Sequence, residues 1–318
     1  MDGCFVGIDV SKDRLDGCIR QQQAFHHDNS GPGIAQVVAL LQPLAVTLVV
    51  VEATGGLEVP LVRALQQAAI PVAVVNPRQV RDFAKASGVL AKTDDLDAAV
   101  LAHFAEAMRP QPRPLSDAQT QALDALVTRR CQLIDMRTME RNRLGQCPEA
   151  PVRKNIQQHL DWLQQHIDRV EAALDEAVRG HPDWQARDQL QRSVPGIGPV
   201  SSRTLLASLP ELGQLSGKKL AALVGLAPFA DDSGRHRGKR RIYGGRAEVR
   251  AVLYMGALTA SRSHTPLGEL FRRLRARGKE FKVALVAVAR KMLTIVNAVV
   301  RSGRPYDAAH LRAARVST

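Results

Sequence analysis

Four carboxylates in the first hundred residues stand where phosphoryl-transfer chemistry would need them. Asp9 lies inside the apolar run CFVGIDV, Glu52 closes the run TLVVVE, and Asp94 and Asp97 are three apart in KTDDLDAAV. A spacing of three sends the last pair out from one face at the start of a helix, where neighbouring strand ends can meet it. Hard divalent cations prefer oxygen ligands, and two Mg2+ ions about 3.5 to 4 Å apart stabilise both the attacking and the leaving oxygen of a phosphodiester. Taken singly, Asp9 also reads as a turn residue and Asp94 or Asp97 as an exposed acid opening a helix. Glu52 is harder to explain away, because a carboxylate closing an apolar run is costly unless paired or metal-bound. The joint order of the four carries more than any one of them. Asp95 shares the cluster but projects off its face.

A second constellation lies far along the chain. In FADDSGRHRGKRR, Ser233 follows two aspartates and precedes a dense basic run. Arg235, Arg237, Lys239, Arg240, Arg241 and Arg246 fall within twelve positions, interspersed with Gly238, Gly244 and Gly245. That composition predicts a flexible or turn-rich arm meeting a phosphate backbone, with a solvated basic loop as the plainer alternative. A serine hydroxyl is a weak nucleophile until it is deprotonated and aimed, while arginines around a phosphodiester stabilise the charge that grows on it. Upstream, SVPGIGPVSS places Gly196 and Gly198 between two helical stretches, the pattern of a helix-hairpin-helix. There glycine lets backbone N–H groups approach a phosphate and the next helix start adds its positive end. A tight helix connection without a ligand is the alternative. The histidines form no metal-binding spacing. Aromatic residues are 4% of the chain, too few for modules that read single strands by stacking.

Composition agrees with a polyanionic partner. The 318 residues carry a formal charge of +13, but residues 191–318 alone hold 24 Lys/Arg against 7 Asp/Glu. Residues 1–110 and 111–190 have net charges of −3 and −1. Such segregation is an electrostatic footprint for nucleic acid. Cys4, Cys18, Cys131 and Cys147 have neither CxxC spacing nor a disulfide framework, so reduced thiols in a cytoplasmic protein are expected. The start MDGCFVGIDV lacks the marks of a signal peptide. Residues 29–51 carry no charge, long enough to raise a membrane span, but Pro43, Gln36, Gln42 and the valine run read better as helix, turn and buried strand.

The elements that must position these groups follow from periodicity. Two strands flank a turn at Lys12 and Asp13, a third short strand follows, then a helix over 33–42, the strand TLVVVEA, a helix over 57–69, the strand PVAVVNP and helices near 77–87 and 94–108. Antiparallel strands followed by β-α-β units predict a mixed sheet with helices on its faces. RPQPRPLS, residues 109–116, reads as a linker. Beyond it come helices over about 117–144 and 152–179. In the second, Ile156, Leu160, Leu163, Ile167, Val170, Leu174 and Ala177 form a heptad seam that fits either a hairpin with its predecessor or a coiled coil between subunits.

The runs VGIDVSKDRLD, VVVEATGG, VVNPRQVRDFAKASG, KTDDLDAAVLA, SVPGIGPVSS, LVGLAPFADDSGRHRG and YMGALTASR, in this order across nearly the whole chain, resemble the DEDD-type insertion-sequence transposases, bridge-RNA-guided recombinases. The resemblance implies an α/β plus α architecture. An RNase H-like (RuvC-like) mixed-sheet domain would span 1–115, a helical coiled-coil segment 116–185, and a mainly α C-terminal transposase domain with the helix-hairpin-helix-like motif 186–318. It places the family's acids on Asp9, Glu52, Asp94 and Asp97 and its catalytic serine on Ser233. It further implies Mg2+, two ions per active site; donor and target double-stranded DNA; a structured bridge RNA from the element; and homodimers pairing into a tetramer, without a membrane partner. The implied mechanism is strand exchange through a covalent phosphoserine, with acids of one subunit meeting the serine of another. The protein would be cytoplasmic in a prokaryote and nucleoid-associated when active. Delegating sequence choice to base pairing suits a chain with many cations and few stacking aromatics.

Three rivals stay open at this level. A RuvC-like nuclease or junction resolvase would use the same acids with metal-activated water and no serine. An ATPase of the sugar-kinase type shares the GID strand but has no use for Asp94 and Asp97. A packaging protein would explain the charge and leave Glu52 unexplained.

Overall fold

In a computed structural model, residues 3–89, 94–112, 117–230, 232–233, 236–238 and 240–308 are described, and the side chains of Asp94, Asp95, Ser233, His236 and Arg237 lie outside that description. The chain divides into two compact units, 1–116 and 117–318.

The first unit is built on a five-stranded mixed sheet, β1 (Cys4–Val10), β2 (Arg14–Ile19), β3 (Ala24–Asp28), β4 (Val46–Glu52) and β5 (Val72–Val75), in the order β3-β2-β1-β4-β5. The three N-terminal strands pair antiparallel, while β1 pairs β4 and β4 pairs β5 in parallel. Helix α1 (Gly31–Leu41) connects β3 to β4, α2 (Val59–Gln67) connects β4 to β5, and α3 (Pro77–Ala86) and α4 (Asp94–Met108) follow β5. Side chains alternate across each strand, so the apolar runs serve two cores. Val6, Ile8 and Val10 of β1 and Val49 and Val51 of β4 pack with Ile34, Val37 and Leu41 of α1 and Leu61, Val62 and Leu65 of α2. The opposite alternation, Phe5, Leu48, Val50, Ala73 and Val75, packs against Val80 and Ala84 of α3 and Leu101, Phe104 and Ala105 of α4. Each fully buried aliphatic side chain contributes on the order of 1.5–3 kcal/mol. The uncharged stretch 29–51 is accounted for by α1, a short 3-10 turn and β4. Ser30 caps α1 by accepting from the Gly33 N–H, as the residue type predicts.

Gly7 fixes how closely α4 lies on the sheet. A Cβ there would stand 2.2 Å from the Ala102 nitrogen and 2.4 Å from the Ala98 carbonyl oxygen. Only hydrogen fits, so the helix backbone rests directly on β1.

The second unit begins with α5 (Ala118–Gln146) and α6 (Ala150–Arg179), a helical hairpin within the chain. Leu133, Leu163 and Ile167 form one buried cluster along it, and Arg130–Glu171 is an ion pair across it at 2.7 Å. The heptad seam of α6 therefore has its partner in the preceding helix. Leu123, Val127, Leu174 and Val178 at the open end of the hairpin pack against Leu206 and Ala207. Those two belong to α8 (Pro199–Ser208), which follows α7 (Pro182–Arg192). The remaining elements are α9 (Gly217–Val224), β6 (Asp232–Ser233), β7 (His236–Arg237), α10 (Ala247–Ser261), α11 (Pro266–Ala276) and α12 (Phe281–Ser302). α12 is long and apolar enough to cross a membrane by composition, and 56% of its most apolar window is buried inside the protein. Val288, Ala289, Met292 and Val296 put it at the centre of the unit's core with Leu205, Leu220, Leu253 and Ala257.

Candidate active site and nucleic-acid face

Alternation along the strands decides which acids can meet. In the parallel ladder Ile8 is level with Val51, so Asp9 and Glu52 are the next residues on neighbouring strands, both on the α3/α4 face. Adjacent strands run about 4.8 Å apart. α4 packs over β1 and carries Asp97 in its first turn. All three line one cavity of about 560 Å3, whose other wall is Arg78, Arg81, Asp82 and Lys85 of α3. Asp9, Glu52 and Asp97 are each partly exposed, as groups that must reach a ligand need to be. Asp94 opens α4, but its side chain falls outside the described residues, as does that of Asp95.

The donor set is all carboxylate oxygen, which suits a hard cation such as Mg2+ and not a softer metal. Among the described residues no group of three or more His, Cys, Asp or Glu is gathered tightly enough to hold a metal ion. The chemistry of the set fits such a cation.

Two further carboxylates organise this cavity's surroundings. The loop after Glu52 turns through Gly55 and Gly56, at φ of +76° and +110°, values that only glycine takes without strain. Buried Glu58 ties that loop down, accepting from Thr54 N at 3.1 Å, Thr54 Oγ1 at 2.9 Å and Gly56 N at 2.8 Å. Asp16 of β2 is buried and accepts from Arg14 and from His26 Nδ1, the latter at 2.6 Å. Burial by itself would raise its pKa. The hydrogen bonds and charges of Arg14 and His26 outweigh that and hold the carboxyl below its usual range.

In the second unit the basic run is tied into structure at both ends. Ser233 ends β6 and its backbone pairs with His236 of β7, while Asp232 pairs with Arg237. Phe229 bridges to Arg241 below them, and Arg240 reaches the Asp232 carboxylate at 3.6 Å. A short hairpin thus stands where a flexible arm was one expectation. Arg235 and Lys239 lie outside the described residues. Gly245 serves packing, and Gly244 stands at φ +67° with open space beside it. A Cβ on Gly245 would sit 2.3 Å from the Gly225 nitrogen, and the Gly244 carbonyl accepts from Arg250. Arg246 is turned inward, giving Glu211 two hydrogen bonds at 2.6 and 2.7 Å and the Ser208 carbonyl a third at 2.8 Å. Its guanidinium fastens α10 to the segment after α8.

Arg240 and Arg241 instead line a groove of about 740 Å3 with Lys282, Arg290 and Lys291 of α12, over a floor that includes Leu226, Ile242 and Val286. The PGIG turn joins α7 to α8 as the spacing predicts. Gly196, at φ +92°, is pressed onto α10, since a Cβ would meet the Gly256 carbonyl oxygen at 2.4 Å. Gly198 has no neighbour within 4 Å of such a Cβ and caps α8.

Sequence spacing does not by itself mark the α3 and α12 cations as belonging to these cavities. Their signal was present: Arg78, Arg81 and Lys85 follow helical spacing beside buried Val80 and Ala84. That this helix borders the acids is decided only by tertiary packing.

Two family models match the chain, the first spanning the first unit and the start of the second, the other lying within the second unit. Residues 6–147 match a DEDD transposase model of the IS110 type, and residues 188–272 match the model described as transposase of the IS116/IS110/IS902 family. A pilin gene-inverting protein of Moraxella bovis is 28% identical over 323 residues, covering 96% of this chain and 98% of that protein. A probable family 20 transposase of Pseudomonas aeruginosa is 27% identical over 260 residues, 70% of this chain and 72% of the relative. The uncharacterized 42 kDa protein of insertion element IS900 from Mycobacterium paratuberculosis is 30% identical over 174 residues, 54% of this chain and 42% of the relative.

Proposed function

Because the chain belongs to the IS110/IS116/IS902 family of transposases, we propose that it exchanges DNA strands through a covalent phosphoserine at Ser233, guided by a structured RNA from its own element. The observation that carries this reading is the convergence of Asp9, Glu52 and Asp97, from two strands and a helix, on one cavity. The order β3-β2-β1-β4-β5 supports an RNase H-like first unit.

Asp9, Glu52, Asp94 and Asp97 would hold Mg2+, two ions per site, which would neutralise charge growing on the phosphate in the transition state. The Ser233 hydroxyl attacks phosphorus and loses its proton, and the departing deoxyribose oxygen is protonated. The phosphoserine ester keeps the bond energy until a second DNA hydroxyl displaces the serine. Arg235, Arg237, Lys239, Arg240 and Arg241 after Ser233, with Lys282, Arg290 and Lys291 on the α12 groove, bind the phosphate backbone without reading bases, while Arg246 is held by Glu211. Sequence choice then rests on pairing between the RNA and the donor and target duplexes. Dimers pairing into a tetramer would hold the two duplexes together, in the cytoplasm and at the nucleoid when active.

A second reading has its own support. The Moraxella bovis relative, matched along 98% of its length, is named for inverting a pilin gene. Inversion is the same exchange carried out between two sites of one DNA molecule, so this chain's reaction would be intramolecular. The deciding experiment combines purified protein, the transcript of its neighbouring non-coding DNA, two duplexes and Mg2+, followed by sequencing of joined products. Junctions that track the transcript's pairing segments support RNA guidance; joining that ignores the transcript, or none, overturns it. Cleavage that persists in Ser233→Ala would instead favour a metal-dependent nuclease.

A further inference from the structure

The cavity that gathers Asp9, Glu52 and Asp97 poses an electrostatic problem. A phosphodiester is an anion, and three of the groups it must approach are carboxylates, with Asp82 as a fourth on the rim. Mg2+ held by the acids would offset that repulsion at the reacting phosphate, and cations on the opposite wall would attract the rest of the backbone. The wall opposite the acids is α3, and it presents Arg78, Arg81 and Lys85, spaced i, i+3 and i+7, so that all three face one side of the helix. Buried Val80 and Ala84 anchor that helix on the sheet and fix its rotation. Arg78 lies 4.0 Å from Asp82 on the next turn. Among the described residues, neither Arg81 nor Lys85 forms an ion pair with a carboxylate.

Resting on the proposed reaction, we propose that Arg81 and Lys85 form a phosphate-binding wall, gripping the phosphodiester that the acid cavity receives, with Arg78 balancing Asp82. The ligand class is a nucleic-acid phosphodiester, and the chemistry is that of any polyanion clamp. Guanidinium donates in a fork that matches non-bridging phosphate oxygens, and an ammonium adds a mobile point charge. This assigns the first unit a direct share in nucleic-acid binding, although its net charge is negative and the basic excess lies in residues 191–318. Net charge describes the whole surface, whereas a clamp needs two cations in one place.

The test uses the full chain and a fluorescein-labelled duplex carrying the element's own terminus. Its affinity is measured by anisotropy across a salt series, beside the rate of strand exchange at saturating DNA. Each lost phosphate contact should flatten the log–log salt slope by about 0.9. Lys85→Gln should therefore reduce the slope by about 0.9, and Arg81→Gln with Lys85→Gln by about 1.8, with the exchange rate falling at least about tenfold. The charge-keeping pair Arg81→Lys with Lys85→Arg should restore the slope, which also guards against loss of folding as the cause. An unchanged slope in the neutral variants overturns the clamp, whatever the rate does. If the wild-type chain itself makes neither a covalent adduct nor joined products, the parent reading fails. If it makes both while the neutral variants keep full slope, only the clamp fails.

Discussion

Asp9 and Asp16 stand directly opposite each other on the antiparallel strands β1 and β2, with both side chains on the sheet face that carries the acid cavity. Like charges so placed are destabilising. The molecule resolves this by burying Asp16 and giving it Arg14 and His26 as partners. Asp9 is left partly exposed at the cavity. One acid of the pair is structural, and the other faces the site.

The lowered pKa of Asp16 fixes the sign of its effect on stability. A carboxyl whose folded value lies below its unfolded value of about 3.9 contributes stability above that value, and the contribution is lost as pH falls through the folded value. Asp16→Asn should therefore be destabilised near neutral pH by about 1 kcal/mol, a modest figure because Arg14 and His26 are half exposed. The gap between variant and wild type should close in strong acid. Thermal unfolding across a pH series checks this, and a constant gap would refute it.

Gly7→Ala should be among the most damaging small substitutions in the first unit. A methyl there meets backbone atoms of α4 that cannot rotate away. The cost should be about 3 kcal/mol, and because α4 carries Asp97, exchange should fall further than stability alone explains. Denaturant unfolding and exchange rate, measured on one preparation, separate the two effects.

Removing the loop's buried acceptor should act on Glu52 through its neighbours. Glu58→Ala leaves Thr54 N and Gly56 N without their partner and should cost about 1–3 kcal/mol. Hydrogen exchange should rise at residues 53–57. Unaltered protection there would show that the loop holds itself.

At the proposed nucleophile, Ser233→Ala should abolish the covalent protein–DNA species while nucleic-acid binding persists. Asp97→Asn should abolish exchange. A denaturing gel with labelled DNA reads both, and an adduct in the serine variant would remove Ser233 from the mechanism.

Arg246 and Arg240 should part company although both lie in the basic run. Arg246→Gln breaks three hydrogen bonds to Glu211 and Ser208 and should cost about 2 kcal/mol of stability with the salt slope of DNA binding unchanged. Arg240→Gln, at the exposed groove, should leave stability nearly intact and flatten the slope by about 0.9.

Much of the first unit was legible because its signals are local. Alternation in CFVGIDV and TLVVVE and the helical periodicity after them each depend on a few adjacent residues, and they place the strands and α1 to α4 close to their observed bounds. The heptad seam of α6 announced a partner but not which one, since a seam records only that apolar groups must be covered. The basic run shows the limit most clearly. Its composition is uniform, yet Arg246 is committed to Glu211 and Arg241 to a groove, a division set by which residues lie across from each.

By itself, the amino-acid order determined the strands, the helices, the placement of acids at strand and helix ends, and the segregation of charge, because each is written in short-range periodicity. Only tertiary structure decided that α3 walls the acid cavity, that Asp16 is withdrawn from it, and that Gly7 lets α4 rest on β1. Those relationships join residues on different strands and helices, and the packing energy that selects them exists only once both partners have left water together.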